Sequence, residues 1–194
     1  DDTLYGDDGQ DELYGGAGDD LIFGGQTGGT DVLFGDAGGD TLYGGNQRDK
    51  LYGGADADLM LGGVGNDDLF GGDGSDRLLG EGDEDKLFGD GGGDTLDGGQ
   101  GADWLDGGSG DDFLTGGAGA DYFVFDANGG NDTVTDFNMG EDRLFLNGTT
   151  IDSIAVTAGG VVIAHVGGTV TLDGLNLAGS LDPVADVMAV IDIA

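Results

Sequence analysis

Residues 98–124 read GGQGADWLD, GGSGDDFLT and GGAGADYFV, three nine-residue units in one register. Each opens on Gly-Gly, carries an Asp at its sixth position (Asp103, Asp112, Asp121) and a large apolar side chain at its eighth (Leu105, Leu114, Phe123). Working outward in both directions, Asp recurs at 2, 11, 20, 31, 40, 49, 58, 67, 76, 85 and 94. Every interval is nine residues except Asp20 to Asp31, which is eleven. The matching apolar positions are Leu4, Leu13, Ile22, Leu33, Leu42, Leu51, Met60, Leu69, Leu78, Leu87 and Leu96. The unit is G-G-x-G-x-D-x-U-x, where U is large and apolar.

Such periodicity marks a solenoid, because one short unit cannot bury its apolar face alone. Three trailing residues suffice only for a short strand with its middle side chain turned inward. A nine-residue unit is then half a coil, and each loop stacks on the loop eighteen residues away. The sequence predicts an all-β parallel β-roll, a right-handed β-solenoid of eighteen residues per coil with a C-terminal β cap. Asp11, Asp31, Asp49, Asp67, Asp85, Asp103 and Asp121 fall on one side, and Asp20, Asp40, Asp58, Asp76, Asp94 and Asp112 on the other.

Composition limits what the chain does. Its 194 residues include 47 Gly and 40 Asp and Glu against 5 Lys and Arg, a formal net charge of −35. That charge excludes a nucleic-acid backbone or an anionic membrane surface as partner. No apolar run reaches the roughly 18 residues of a spanning helix, so membrane insertion is not expected. Cys is absent and His165 is the one histidine, which excludes thiolate and two-histidine metal sites. Ser75, Ser109, Ser153 and Ser180 lie outside any G-x-S-x-G elbow. The expectation is that the chain is not an enzyme.

The loops have one evident chemistry. Glycine reaches positive φ freely, so a glycine-rich hexapeptide can curl with its carbonyls to one side. The Asp adds a hard anionic oxygen. Two stacked loops together offer two carboxylates and about four carbonyls, which suits the six to eight oxygens of calcium better than the strict octahedron of magnesium. Seven complete loops on one side and six on the other leave at most eleven inter-loop sites. Eleven Ca2+ would bring the formal charge from −35 to −13.

The repeat resembles the nonapeptide of the calcium-binding repeats-in-toxin (RTX) proteins, and the likeness runs through residues 1–124. The resemblance implies that the sixth-position Asp bridges calcium and that positions one to four supply carbonyls. The carbonyl donors so implied are Gly6 and Gly9; Gly15, Gly16, Ala17 and Gly18; Gly35 and Gly38; Gly44; Gly53; and Gly62, Gly63, Val64 and Gly65. Further along they are Gly71, Gly72, Asp73 and Gly74; Gly89 and Gly92; Gly98, Gly99, Gln100 and Gly101; Gly107, Gly108, Ser109 and Gly110; and Gly116, Gly117, Ala118 and Gly119. Three loops depart from the pattern with Gln47, Asp56 or Asp83 at position four, and Arg48 brings positive charge beside Gln47. The loop from Gly24 to Asp31 carries two extra residues. These sites are expected to be weaker, or empty.

The ninth position holds an aromatic stripe from Tyr5 to Phe88 that gives way to Asp97 and Asp106. It reads as a cross-strand ladder that stabilises the sheet, or as a contact face for a neighbouring domain or for polysaccharide, the latter in a carbohydrate-binding or adhesive module.

After Phe125 the period fails, but Asp132-Thr133-Val134 and Asp142-Arg143-Leu144 keep the D-x-U spacing and read as closing coils. Residues 153–157, 161–166 and 169–173 read as strands, the first two joined by Ala158-Gly159-Gly160 and the last two by Gly167-Gly168. His165 reads as a plain strand residue. The segment from Asn131 to Asp142 is similar to the one that closes the roll in RTX metalloproteases and lipases, and Asp186 to Ala194 is similar to their type I secretion signal. A last edge strand or short helix of the cap is the alternative for that tail. The division expected is a roll over 1–124 and closing coils, cap and secretion signal over 125–194. The first unit lacks its glycine loop, which predicts a longer protein with an upstream domain. The resemblance implies export through type I secretion machinery to the extracellular space or cell surface, with calcium ions as partners.

Overall fold

A computed structural model describes residues 1–148, 150–156, 160–165, 167–175 and 183–193. Successive units alternate between two sheets. The first runs from Thr3–Tyr5 through Leu21–Gly25, Thr41–Asn46, Leu59–Val64, Arg77–Gly82, Thr95–Gln100 and Phe113–Ala118 to Asn131–Val134. The second runs from Glu12–Ala17 through Val32–Ala37, Lys50–Ala55, Asp68–Gly74, Lys86–Gly92, Trp104–Asp106 and Tyr122–Asp126 to Arg143–Asn147. Neighbours pair in parallel eighteen residues apart, as Leu51↔Leu69↔Leu87 and Met60↔Leu78↔Leu96 do. The parallel β-roll is therefore the observed fold.

Eighth-position side chains from Ile22 to Phe123 are fully buried between the sheets. This single file of Leu, Ile, Met and Phe is the core of the repeats, continued in the cap by residues such as Val134, Leu144 and Ile163, and Leu4 and Leu13 pack against it partly buried. The strands are longer than the three residues expected. Most run six or seven, from the seventh position of one unit through the third or fourth of the next. Stacking in strict register lets the glycine-rich residues continue the ladder, with the first position skipped, as between Phe70↔Phe88 and Gly72↔Asp90.

The aromatic stripe divides into two ladders, one on each sheet. Tyr5, Phe23 and Tyr43 stack on the first; Tyr14, Phe34, Tyr52, Phe70 and Phe88 stack on the second. Ring centroids lie 4.7–5.1 Å apart with interplanar angles of 4–8°. That spacing is the strand separation itself, so the parallel register dictates the stacking.

The two extra residues before Asp31 leave the register intact. Leu13 still pairs Leu33, and the surplus forms a small parallel bridge of Asp8–Gly9 with Thr27–Gly28. Asn131–Val134 and Arg143–Asn147 add one strand to each sheet, as closing coils should. Beyond them Gly168–Asp173, Gly160–His165 and Ile151–Val156 continue the first sheet, the last two pairings antiparallel. His165 pairs Gly168, so Gly168 belongs to the strand rather than to the turn, and Val166 lies outside the described residues. The buried His165 is a strand residue. Ala158 and Gly159 lie outside the described residues. The tail forms a helix, Pro183–Met188, then a strand, Ile191–Ile193, parallel to Arg143–Asn147. Among the described residues no helix is long and apolar enough to cross a membrane.

Loop curvature is set at positions two and four, where φ is positive: 101° at Gly99 and 142° at Gly101. The three non-glycine residues at position four share that conformation, with φ of 78° at Gln47, 76° at Asp56 and 75° at Asp83. Position two adds Asp7, Asp36, Glu81 and Asp90, at 66–75°. A left-handed non-glycine residue costs roughly 1–2 kcal/mol, offset in part by the greater unfolded-state freedom of glycine. Gln47→Gly should therefore stabilise the folded chain by about 0.5–1 kcal/mol, seen as a higher urea midpoint. A lower midpoint would mean that the Gln47 side chain makes a compensating contact.

Candidate metal centre

The sixth-position carboxylates form two columns, one on each side of the roll. In the first, the N–H of Asp2, Asp20, Asp40, Asp58, Asp76, Asp94 and Asp112 donates in turn to Oδ1 of Asp20, Asp40, Asp58, Asp76, Asp94, Asp112 and Asp132. In the second, Asp11, Asp31, Asp49, Asp67, Asp85, Asp103 and Asp121 donate likewise, ending on Asp142. These distances are 2.5–3.1 Å. Both sets of Asp fall on the sides that the eighteen-residue coil assigns. Asp132 and Asp142 are column members that the nonapeptide count missed, although their D-x-U spacing signals them.

From Asp20 onward one oxygen of each carboxylate is thus committed to the backbone. In most of them the other is not. Oδ2 of Asp11, Asp20, Asp40, Asp49, Asp58, Asp67, Asp76, Asp85, Asp94, Asp103 and Asp112 is buried and accepts no hydrogen bond. Ion pairs do not supply the missing charge. Among the described residues they join the N-terminus to Asp20 at 3.7 Å, and Arg48 and Lys50 to Asp68 at 2.8 and 3.7 Å. Arg48, expected to press positive charge on its loop, is thus engaged by the Asp68 carboxylate.

Position one explains why these oxygens stay open. An ideal Cβ on Gly71 would sit 2.5 Å from Asp76 Oδ2 and 2.7 Å from the Gly89 carbonyl oxygen of the next coil. On Gly98 it would meet Asp103 Oδ2 at 2.5 Å and the Gly116 carbonyl at 2.8 Å. A carboxylate and a carbonyl of adjacent coils converge there, and any side chain would push them apart. Gly24, in the loop with two extra residues, keeps the same neighbours in Asp31 Oδ2 and the Gly44 carbonyl, at 2.8 and 2.6 Å. Not all the expected carbonyls are equally open. Ser109 and Ala118 accept the N–H of Gly92 and Gly101 at 2.8 and 2.9 Å, so they reach a cation only through a second lone pair.

Among the described residues no three His, Cys, Asp or Glu side chains gather at one point. Any ion here is held by carboxylates from successive coils together with backbone carbonyls. An all-oxygen donor set on curled loops fits a hard cation, and the orphaned Oδ2 atoms fit calcium's preference for many oxygens.

Burial pushes the Asp49, Asp58, Asp67 and Asp94 carboxyls up to about 7, Asp85 to about 8 and Asp103 to about 6. The N–H from the preceding coil pulls each partly back, and neighbouring Asp charges raise them further.

A family model of the RTX calcium-binding nonapeptide repeat matches residues 1–26, 27–60, 61–96, 88–123 and 97–134. None of the curated proteins matches the chain. Among solved structures, the extracellular lipase LipA from Serratia marcescens is similar at 22% identity and a TM-score of 0.45, the match covering 91% of this chain and 38% of the lipase. The AlgE6R3 subunit of the Azotobacter vinelandii mannuronan C5-epimerase is similar at 23% identity and a TM-score of 0.33, covering 76% of this chain and 78% of that one. The chain spans well under half the length of the lipase.

The raised carboxyls fix the pH dependence of the metal-free chain. An unfolded Asp titrates near 4, so between about pH 4 and 8 the folded roll binds more protons than the unfolded chain. Metal-free stability must then fall as pH rises through that window. Lowering pH from 8 to 5.5 after chelating chromatography should increase the β-sheet circular dichroism signal. A signal that stays flat or declines would count against uncompensated charge as the obstacle to folding.

Proposed function

Because the chain belongs to the family of RTX calcium-binding nonapeptide repeats, we propose that its calcium-binding β-roll is a non-catalytic module that folds when calcium fills the spaces between stacked loops. One observation carries this reading: among the described residues eleven buried carboxylate oxygens have no hydrogen-bond partner. A buried unpaired carboxylate is among the costliest groups a fold can contain, and two columns of them oppose their own assembly. Calcium supplies positive charge and additional bonds between coils, so its binding free energy becomes folding free energy. The ligands proposed are the thirteen carboxylates from Asp11 to Asp121 with the backbone carbonyls of positions one to four. The division proposed is a roll over 1–124 and a cap over 125–194.

The location follows from calcium itself. At cytosolic levels the chain stays unfolded, a form suited to export. Outside, millimolar calcium fills even sites of 10⁻⁴–10⁻³ M affinity. We read the chain as a C-terminal part of a protein secreted by a type I system, folding on arrival and stabilising an upstream domain that carries any activity. The residues from Asp186 onward serve as the export signal in this reading. A carbohydrate-binding role for the aromatic stripe is not carried forward, since plane-parallel stacking of each ring on the next needs no ligand.

Adding millimolar calcium should convert a coil-like circular dichroism spectrum to a β spectrum and sharply reduce the hydrodynamic radius. A compact β-rich chain in excess EGTA would sink the proposal. Magnesium should substitute poorly.

The columns also predict unequal sites. Asp67 is fully buried, accepts the Asp49 N–H and donates to Asp85, whereas Asp2 is exposed at the end of the other column. Asp67→Ala should raise the calcium midpoint several-fold and Asp2→Ala barely move it. Equal midpoints would argue against ligation shared along the stack.

A further inference from the structure

The 40 acidic residues of the chain avoid one surface. In both sheets the eighth position points into the core, so the seventh and ninth point outward. On the second sheet, from Glu12 to Phe145, those outward positions carry Glu12, Lys50, Asp68, Lys86, Asp106 and Arg143. On the first, from Thr3 to Thr135, only Arg77 and Asp97 are charged. The cap continues the seventh-position row without a charge, because Thr171, Val162 and Ala155 follow Thr133 across the paired strands.

Large and small side chains alternate along that row. Leu21, Thr41 and Leu59 succeed one another on neighbouring strands, and beyond Arg77 come Thr95, Phe113 and Thr133. Phe113 is 55% exposed and the two leucines are half-buried, so apolar knobs stand between threonine gaps. Arg77 and Asp97 lie on adjacent strands, where the register pairs Arg77 with Thr95 and Leu79 with Asp97. Among the described residues neither joins a direct ion pair.

We propose that this outer face of the first sheet is the contact surface of a homodimer, in which two folded rolls pack sheet on sheet. Elsewhere the chain is a polyanion with a formal charge of −35, so two copies approach closely only through a face almost free of carboxylates. A surface ridged at strand spacing is matched by another of the same spacing, whose Leu and Phe enter the threonine gaps as the inner faces of a sandwich interdigitate. One cation and one anion leave the face neutral, and two-fold symmetry lets Arg77 of each copy meet Asp97 of the other. Eleven strands at ~4.8 Å make the face about 50 Å long. At a width of roughly 12 Å it buries roughly 600 Å² per copy, the lower end of what a stable dimer needs. The dimer rests on the reading of the roll as folded by calcium.

Sedimentation velocity of the full chain in millimolar calcium should give twice the 19.3 kDa mass of one chain. Phe113→Glu places a carboxylate on the face and should raise the dimer dissociation constant roughly tenfold or more. Tyr122→Glu alters a seventh-position aromatic of the second sheet, 41% exposed, and should leave that constant unchanged. If circular dichroism shows that F113E does not fold, T95E at the neighbouring exposed Thr95 takes its place. A folded chain that stays monomeric overturns the dimer and leaves the face to a partner of another sequence. Equal weakening by F113E and Y122E overturns it as well. A chain that gains no β structure in calcium overturns the reading of the columns and the dimer with it.

Discussion

A carboxylate buried every half coil, with one oxygen hydrogen-bonded and the other left open, is the constraint from which the remaining features follow. Oδ1 ties each coil to the N–H of the coil before it, which holds the loops at strand spacing. Oδ2 requires a positive charge that the five Lys and Arg do not bring to the columns. Glycine at position one follows, because a methyl there would occupy the space where Oδ2 meets a carbonyl of the next coil. The thin core follows too. One apolar side chain per unit fills the space between two sheets, and burial of that file alone is modest beside the cost of ordering so much glycine.

Much of this was legible in the sequence because the period is short and nearly unbroken. The register of the Asp residues assigned each to its side, and the eighth position gave the core residue by residue. The extra residues before Asp31 were visible, but their absorption into a side bridge was not, since that depends on where the surplus backbone finds a partner. Strand length was underestimated because glycine has no strand preference of its own; pairing with an identical neighbour in register imposes it. Position four was recognised as conformationally demanding, whereas position two was not. A column of glycines interrupted only by Asp7, Asp36, Glu81 and Asp90 carried the same information. Asp132 and Asp142 were seen as spacing and missed as column members because their loops depart from the consensus glycine pattern.

The cap solves a problem that the repeats cannot. Every repeat borrows an acceptor from its successor, so the last one needs a substitute. Asp132 and Asp142 supply it from segments that are otherwise unlike the repeats, and the antiparallel strands beyond Asn131–Val134 then continue the first sheet.

The one-way sense of the N–H to Oδ1 bonds gives the roll two unlike ends. Removing a coil from the low-numbered end uncovers carboxylate oxygens, which water solvates readily. Removing one from the high-numbered end uncovers amide hydrogens, which then need a new acceptor. The structure is in this respect a polar filament in miniature, with an acceptor end and a donor end. Coils can be gained or shed at the acceptor end as on a fraying rope, while the donor end requires a fixed terminus.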